Sequence, residues 1–419
     1  MIKWITHNLG TCPFEKVDDP GVEIVDVRHM VDKPGNAEET VRLAAAEALR
    51  LLSQGKRVVV CCDYGMSRSN AVAAGVLAIY KGIRFSDAVR EVIEKTGERA
   101  IRVEVLGAVE KALVQLAPGQ ERVDSTDLNP ILVTGASGFI GTALVAQLSP
   151  RFEVIAPSSA ELDLTCGPAQ LGLLAKEHRV SRIVHLANPR IYSTNAALGP
   201  MLVSLKNVID VCLQQGIKLF FISSWEIYSA YRAQQLIANE SLPANPRGPY
   251  GMAKYLCERM LEQEQAIDPG FQYVVLRSAP IYGVGSDRPR FIHRFIDLAR
   301  RGEDIVTHQY LNGLPTIELT HVSDFVAALV SVIERDATGA FNVGSGNNVS
   351  TAAVARTIVD ILGSKSSIRQ NDINTFTPNI LMDSRRARRV LGWTPMADLG
   401  TKLAEMASSS IRVGAPAGQ

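Results

Sequence analysis

The chain has 419 residues, of which 46% are apolar and 21% charged, and 44 Lys and Arg stand against 43 Asp and Glu for a formal net charge of +1. That length points to two or three domains with cores of their own, and the ordinary apolar and charged fractions exclude wholesale disorder. The charge balance excludes attraction to nucleic acid or an anionic membrane by bulk charge, so any anion must be held at a local site.

At the N-terminus, MIKWITHNLG has no apolar run after a basic start and is not expected to be a secretory signal. VEIVDV (22–27) predicts a strand, and TVRLAAAEALRLLSQG (40–55) carries apolar residues at helical spacing up to a glycine stop. RVVVCC (57–62) predicts a buried strand, with a helix, AVAAGVLAIYKG (71–82), almost directly after it. The helical stretch VLGAVEKALVQL, from Val105, runs into Pro118-Gly119 and the polar QERVDSTDLNP. This predicts one domain over 1–117, a linker over 118–129 and a second domain over 130–408. From Ile131 onward ILVTG, FEVIAP, RIVHLA, KLFFISS and YVVLR are each followed by a helical or loop stretch, the alternation of a parallel, doubly wound α/β sheet. The tail after Ser408 is rich in Ala, Gly and Pro and is expected to fray. No stretch approaches ~18 uninterrupted apolar residues, so no membrane span is expected. Six cysteines, with no paired Cys-x-x-Cys, give neither a disulfide scaffold nor a zinc site, and no metal is expected. The expected location is cytoplasmic, where an unusual cysteine is reactive rather than bridged.

The first chemical constellation is the junction Cys62-Asp63-Tyr64-Gly65-Met66-Ser67-Arg68-Ser69 between that buried strand and its helix. A loop ahead of a helix N-terminus turns several backbone N–H groups and a partial positive charge toward one point. Residues 63–68 are therefore the expected oxyanion cradle, with Arg68 forking onto two of the oxygens. Cys62 at the mouth lies in a field that favours the thiolate, and Ser69 can donate to that thiolate when it leaves. Cys-x5-Arg-Ser with Gly three residues after the cysteine resembles the phosphate loop of cysteine-dependent protein phosphatases, and YGMSRSNAVAAGVLA is most similar to the dual-specificity branch. The resemblance covers residues 20–115 and implies a small α/β phosphatase domain with an upstream loop aspartate as general acid. Asp32 lies 30 residues before Cys62, in MVDKPGN. Asp26, at a strand end, is the weaker candidate. Three features depart from that family. Cys61 replaces the usual histidine and offers a vicinal thiol, Asp63 disfavours polyanionic substrates such as phosphoinositides, and the domain is short. Rhodanese-type sulfur transfer is the competing reading of the loop.

The second constellation begins at ILVTG-Ala136-Ser137-Gly138-Phe139-Ile140-Gly141, a strand, a glycine-rich turn and a helix start. Gly135 permits the tight turn, Gly138 lets a pyrophosphate approach the backbone, and Gly141 allows close helix–strand packing. Tyr250 and Lys254 share one helix face, where Lys254 is expected to lower the phenol's pKa and let Tyr250 serve as acid or base. Ser224 ends the strand KLFFISS, 26 residues before Tyr250, where it can hydrogen-bond a reacting oxygen.

Together these motifs, with ELDLT, HLAN, SSWEIYS, PYGMAK, LRSAPIYG, THVSDFVAAL, FNVGSG and LGWTP, resemble the extended short-chain dehydrogenases/reductases, the nucleotide-sugar epimerase/dehydratase family. The resemblance covers residues 130–405 and implies a Rossmann domain with a smaller C-terminal substrate-binding part. It implies further that Asp163 and Leu164 lie near the adenine, Ala187 near the ribose-phosphates, and Pro280 and Ile281 beside the nicotinamide, with Lys254 bridging the ribose hydroxyls and Tyr250. Dehydratases follow the catalytic Ser/Thr with Asp-Glu. Trp225-Glu226 follows Ser224 here, which favours epimerase or reductase. FEVIAP ends in Ser158-Ser159 with no acid before Glu161, so the cofactor is NAD(P), with a mild preference for NADP.

Other residues take structural readings: His185 packed on its strand, Ser323 or Asp324 a helix cap, Arg385, Arg386, Arg388 and Arg389 a solvated face, Trp393 packing, and Tyr64 and Met66 exposed loop-shaping residues. The function expected is that of a bifunctional enzyme. A phosphate ester, or a phosphoprotein, would be hydrolysed at Cys62, and a nucleotide sugar would be oxidised or reduced at Tyr250. The partners expected are these small molecules and a second copy in a homodimer, with no nucleic acid and no membrane. The alternatives are a regulatory protein-tyrosine phosphatase carrying a dinucleotide-sensing module, and a binding scaffold.

Overall fold

The structure is a computed structural model that describes residues 1–116, 130–189, 191–192, 194–286 and 288–409. The linker expected at 118–129 and the tail from residue 410 lie outside the described residues. Two compact units are present. One contains Met1–Pro130, Ser159–Ser181 and Val203–Ile217, and the other contains Ile131–Ser158, Arg182–Leu202 and Lys218 onward.

In the first unit the strands are β1 (Lys3–Trp4), β2 (Leu9–Pro13), β3 (Glu23–Asp26) and β4 (Val58–Cys62). The helices are α1 (Glu38–Ser53), α2 (Arg68–Lys81), α3 (Phe85–Thr96) and α4 (Val103–Leu116). The sheet order is β1-β2-β4-β3, with β2 and β3 parallel to β4 and β1 antiparallel to β2. Central β4 is buried along its whole length, as its run of valines requires. Strand alternation sends Val58, Val60 and Cys62 into the main core with Val41, Val72, Leu77 and Val109, and sends Val59 and Cys61 to the other face beside Cys12, Trp4 and Phe14. Cys61 is therefore no vicinal partner at the site, and burial pushes its thiol up to about 12.

The segments 159–181 and 203–217, expected within the second domain, pack in the first unit. Gln215 Nε2 donates to Gly172 O at 2.8 Å, Gln214 donates to Val103 O, and Glu177 and Lys176 pair with Arg90 and Glu110. Gly172 makes room for this packing, since a Cβ there would lie 3.0 Å from Val103 Cγ1.

The second unit continues with β5 (Ile131–Thr134), α5 (Phe139–Leu148) and β6 (Val154–Ile155). The chain then passes through α6 (Ala169–Glu177), β7 (Arg182–His185), α7 (Leu198–Gln215), β8 (Lys218–Ser224), β9 (Leu236–Ala238), α8 (Gly248–Ile267) and β10 (Tyr273–Ser278). Strand 339–343, β10, β8, β7, β5 and β6 form, in that order, a six-stranded parallel sheet. The chain runs outward from β5 to β6 and then returns to β7 on the opposite side of β5. This reversal leaves a crevice beyond the C-terminal ends of β5 and β7, where doubly wound sheets bind ligands. The stretch Asn195–Gln215, ending in α7, is long and apolar enough to cross a membrane. Leu205, Val208, Ile209, Val211 and Cys212 are buried in protein, the pattern of a core helix.

A buried ion pair ties α8 to β10. Arg277 forks onto both oxygens of Glu258 and donates to Tyr228 Oη at 2.7 Å and Glu240 O at 3.0 Å. Truncating Glu258→Ala leaves that cation buried without its counter-charge. We expect a loss of about 3–5 kcal/mol of unfolding free energy, read from urea denaturation.

His321 caps helix 322–334 with its own side chain, which accepts from Ser323 N. The cap is thus neither Ser323 nor Asp324. Asp324 instead accepts from Met396 N and Ala397 N, and Trp393 Nε1 donates to Asp324 O, which locks the C-terminal segment onto this helix.

Candidate active sites

In the first unit, Cys62 ends β4 and Arg68 begins α2, so the intervening loop wraps over the helix N-terminus. Cys62 Sγ accepts from Gly65 N at 3.2 Å and lies 3.3 Å from Ser69 Oγ. Gly65 has φ +68°, and a Cβ there would lie 2.7 Å from Pro13 N and Cδ, so no other residue fits the turn. The loop is braced from below by Asn70, whose Nδ2 donates to Gly65 O and Met66 O at 2.9 Å and whose Oδ1 accepts from Thr11 Oγ1. Sequence reasoning did not single out Asn70, because its partners come from β2 and the loop together.

Arg68 is 7% exposed. Its Nη1 donates to Arg28 O at 3.0 Å and Met30 O at 2.9 Å, and its Nη2 donates to Asp63 Oδ2 at 2.5 Å. Asp32 comes to the same guanidinium, with Oδ2 3.2 Å from Nε. Asp26, the alternative general acid, is instead gripped by Arg28, whose hydrogen bonds hold its carboxyl below the usual range. Two loop residues do other work than expected. Ser67 Oγ accepts from Arg102 N, so that hydroxyl is engaged with the segment ahead of α4. The Asp63 side chain occupies Arg68 rather than leaving it open. Tyr64 and Met66 are exposed at the rim, 74% and 44%.

In the second unit, the glycine-rich turn follows β5 at the crevice. Gly135 has φ +70°, and a Cβ there would come within 2.8–2.9 Å of the backbone of Leu186 and Ala187. A Cβ on Gly141 would meet Gly135 O at 2.3 Å, so α5 starts in direct contact with the turn. Gly138 is the N-cap of α5, Phe139, Ile140 and Gly141 form its first turn, and Ser137 lies in the turn before it. Ala187 N donates to Thr134 Oγ1 at 3.4 Å. His185 is buried, hydrogen-bonded to Thr134 at 2.9 Å, and burial drives its imidazole down to about 3, so it stays neutral. Ser158 lies in the loop after β6. Asp163 and Leu164 belong to the first unit, where Asp163 accepts from Thr165 N, Thr165 Oγ1 and Cys166 Sγ.

Ser224 ends β8 and accepts from Glu226 N. Helix α8 packs on that turn so closely that a Cβ on Gly251 would lie 2.6 Å from Glu226 O. Lys254 Nζ donates to Ile222 O at 2.7 Å and lies 5.6 Å from the Tyr250 ring centre. The expected drop in the Tyr250 pKa is not present. Burial, with Tyr192, Glu226 and Cys257 close by, pushes the phenol up, and Lys254 is itself driven down to about 8 by burial. Desolvation thus dominates, and the cation that pulls the phenol the other way is Arg288. Pro280 O accepts from Thr320 N, and Ile281 pairs with Thr320, which fixes the segment after β10.

Two further residues complete this centre. Tyr192 lies against Tyr250 with ring centres 4.5 Å apart, and Arg288 stands 4.4 Å from the centre of the Tyr192 ring. Glu226 is raised to about 7 by burial, with Arg288 pulling the other way. Tyr192 and Arg288 come from separate loops and have no sequence spacing to betray them. Trp225, which follows Ser224, walls a cavity of about 540 Å³ with Pro280, Phe291, Phe295 and Met382, and Arg294 and Glu318 line it too.

Residues 131–344 match the NAD dependent epimerase/dehydratase family. The chain is 25% identical over 312 residues to UDP-glucuronic acid decarboxylase 6 of Arabidopsis thaliana, covering 68% of this chain and 90% of that protein. It is 28% identical over 301 residues to probable GDP-L-fucose synthase 1 of Oryza sativa subsp. japonica, covering 66% and 90%. Among solved structures it is similar to MoeE5 in complex with UDP-glucose and NAD, at 26% identity and a TM-score of 0.55, covering 66% of this chain and 97% of that one. UDP-glucose 4-epimerase of Thermotoga maritima shares the fold, with a TM-score of 0.58, 23% identity and coverage of 66% and 97%.

Proposed function

The chain belongs to the NAD dependent epimerase/dehydratase family, and from that membership we propose that its second unit oxidises or reduces a ring carbon of a nucleotide sugar. The observation that carries this reading is that helix α8, which bears Tyr250 and Lys254, docks on the end of β8 at Ser224: Lys254 Nζ donates to Ile222 O and Gly251 packs on Glu226 O. The fit to a dinucleotide is supported by the Gly135 turn, which packs so tightly on the backbone of Leu186 and Ala187 that no Cβ fits, directly ahead of the N-terminus of α5. When bound, the nicotinamide cofactor supplies or accepts hydride. This chain's residues orient the carbinol: Ser224 through its hydroxyl, Tyr250 through the proton it carries, and Lys254 through its charge below the ring. The apolar cavity beside Trp225 has the volume for a nucleotide's base and sugar, and Arg294 offers a cation there.

We assign epimerisation or net reduction in preference to loss of water, because Trp225 stands where an acid would be needed beside Glu226. The absence of a carboxylate in Ala156–Ser159 supports a mild preference for NADP(H). One experiment tests these assignments: incubation with UDP-glucose, UDP-glucuronate and GDP-sugars, each with either cofactor, followed by mass analysis of products. Unchanged mass with inverted stereochemistry, or a gain of two hydrogens, is the expected outcome, with faster turnover or tighter binding in the NADP series. Loss of one water, or clearly tighter binding of NAD(H), would overturn the respective assignment. Firm cofactor binding with no turnover of any sugar would instead favour a dinucleotide-sensing role.

A specific observation favours a second activity in the first unit. The Cys62 sulfur lies within hydrogen-bond distance of Gly65 N and Ser69 Oγ, with Arg68 at the helix N-terminus behind it. This supports phosphate-monoester hydrolysis through a phospho-cysteine. Cys62 Sγ attacks phosphorus, Asp32 protonates the departing ester oxygen, and water then takes the phosphoryl group from sulfur with Asp32 as base.

A further inference from the structure

We propose that Asp63 is a built-in competitor for the oxyanion at the Cys62 loop and sets its preference for a single phosphate group over a polyphosphate. The proposal rests on the phosphate-loop reading of residues 62–69.

A guanidinium has five N–H donors in a fixed plane. In Arg68 both Nη1 hydrogens are spent on main-chain oxygens, Arg28 O and Met30 O, and these bonds anchor the group. The edge made by Nε and Nη2 remains, and this edge matches two oxygens of one tetrahedral anion. Nη2 is taken by Asp63 Oδ2. Nε has the Asp32 carboxylate at 3.2 Å but no acceptor in line for a hydrogen bond. An unpartnered donor on a cation that is 93% buried is costly unless a ligand completes it. A phosphoryl group bound side-on would give Nε its acceptor, and at the same moment would need the place that Asp63 holds on Nη2.

Arg68 cannot yield, since two carbonyls pin it. Asp63 can, because its side chain is 49% exposed and can turn into water. Oxyanion binding is therefore an exchange of one carboxylate for one phosphoryl oxygen. The displaced charge stays at the rim, and Asp32 stands on the other flank. A second phosphate on the ligand would meet the displaced Asp63 carboxylate at short range and be repelled. A monoester with one phosphate meets only the cost of the exchange.

The test uses the full-length chain and reads protection of Cys62 from iodoacetamide, followed by mass spectrometry, at rising concentrations of inorganic phosphate and of pyrophosphate. With Asp63→Asn, half-protection by phosphate is expected at a concentration lower by on the order of 10- to 100-fold, the weight of one charge-assisted hydrogen bond. The gain for pyrophosphate is expected to be larger still. Asp63→Glu, which keeps the charge, should stay near the parent value, so a change of shape alone is not the cause. Equal half-protection in the parent and Asp63→Asn chains, with protection evident in both, overturns the competitor role and leaves the phosphate loop standing. No protection by either anion in any of the chains fells the phosphate-loop reading itself and this proposal with it.

Discussion

Exchange of Cys62 for serine is expected to reduce hydrolysis of p-nitrophenyl phosphate to the buffer background, while NAD(H) and NADP(H) bind as they do to the parent chain. The two parts of the expectation rest on different structure. Hydrolysis needs a strong nucleophile at the focus of the loop, and a serine hydroxyl with no adjacent base is a poor one. The loop should survive the change. A hydroxyl at the same place still meets Gly65 N and Ser69 Oγ, and Gly65 and Asn70 hold the turn without help from the sulfur. Dinucleotide binding is attributed to the Gly135 turn, which lies in the other unit. Undiminished hydrolysis in the serine variant would remove Cys62 as nucleophile. Sulfur transfer from thiosulfate by the parent chain, without hydrolysis of any phosphate ester, would move the loop to the rhodanese reading.

A feature of this chain is legible in its sequence when it is local. Strands β4, β5 and β8 are legible because each is built on an apolar run of three to five residues (VVVCC, ILV and LFFI), buried on both faces. The loop 62–69 and the turn 135–141 are legible because a single strand–loop–helix junction carries every part of them. Strand β2 is not, since LGTCP is too short, and too interrupted by Gly and Pro, to show a period. Asn70, Tyr192 and Arg288 were missed because each acts on a partner from a different element. The placement of 159–181 and 203–217 with the first unit depends on packing at Gly172 and Val103, which no local pattern announces. The two thiols at 61 and 62 show the same limit from the other side. Adjacency in sequence suggests a pair, whereas strand alternation puts them on opposite faces. The Tyr250 phenol shows the limit too: the sequence offers Lys254 one turn away, whereas in the structure burial pushes the phenol up and Arg288 is the cation that pulls it down.

Replacing Tyr250 by phenylalanine is expected to slow turnover of the nucleotide sugar by about 10²- to 10⁴-fold, the usual weight of a positioned acid or base, with little change in dinucleotide affinity. The variant keeps the ring that packs on Tyr192, so the fold of the site should persist. The pH profile of the parent carries a second signature. Lys254 is depressed to about 8, so its charge is present below that pH and is lost as pH rises through it. A neutral Lys254 no longer offers a cation to the bound cofactor and carbinol. Turnover is thus expected to fall on the alkaline side near pH 8, well below the pKa of about 10.4 of an exposed lysine. Glu226, raised to about 7, is protonated below that pH and charged above it. Glu226→Gln should remove any inflection near 7 and leave the one near 8 in place. Near-parental turnover in Tyr250→Phe would pass the proton-transfer role to Glu226 or to water. An alkaline limb that stays near 10 would mean that Lys254 does not control it.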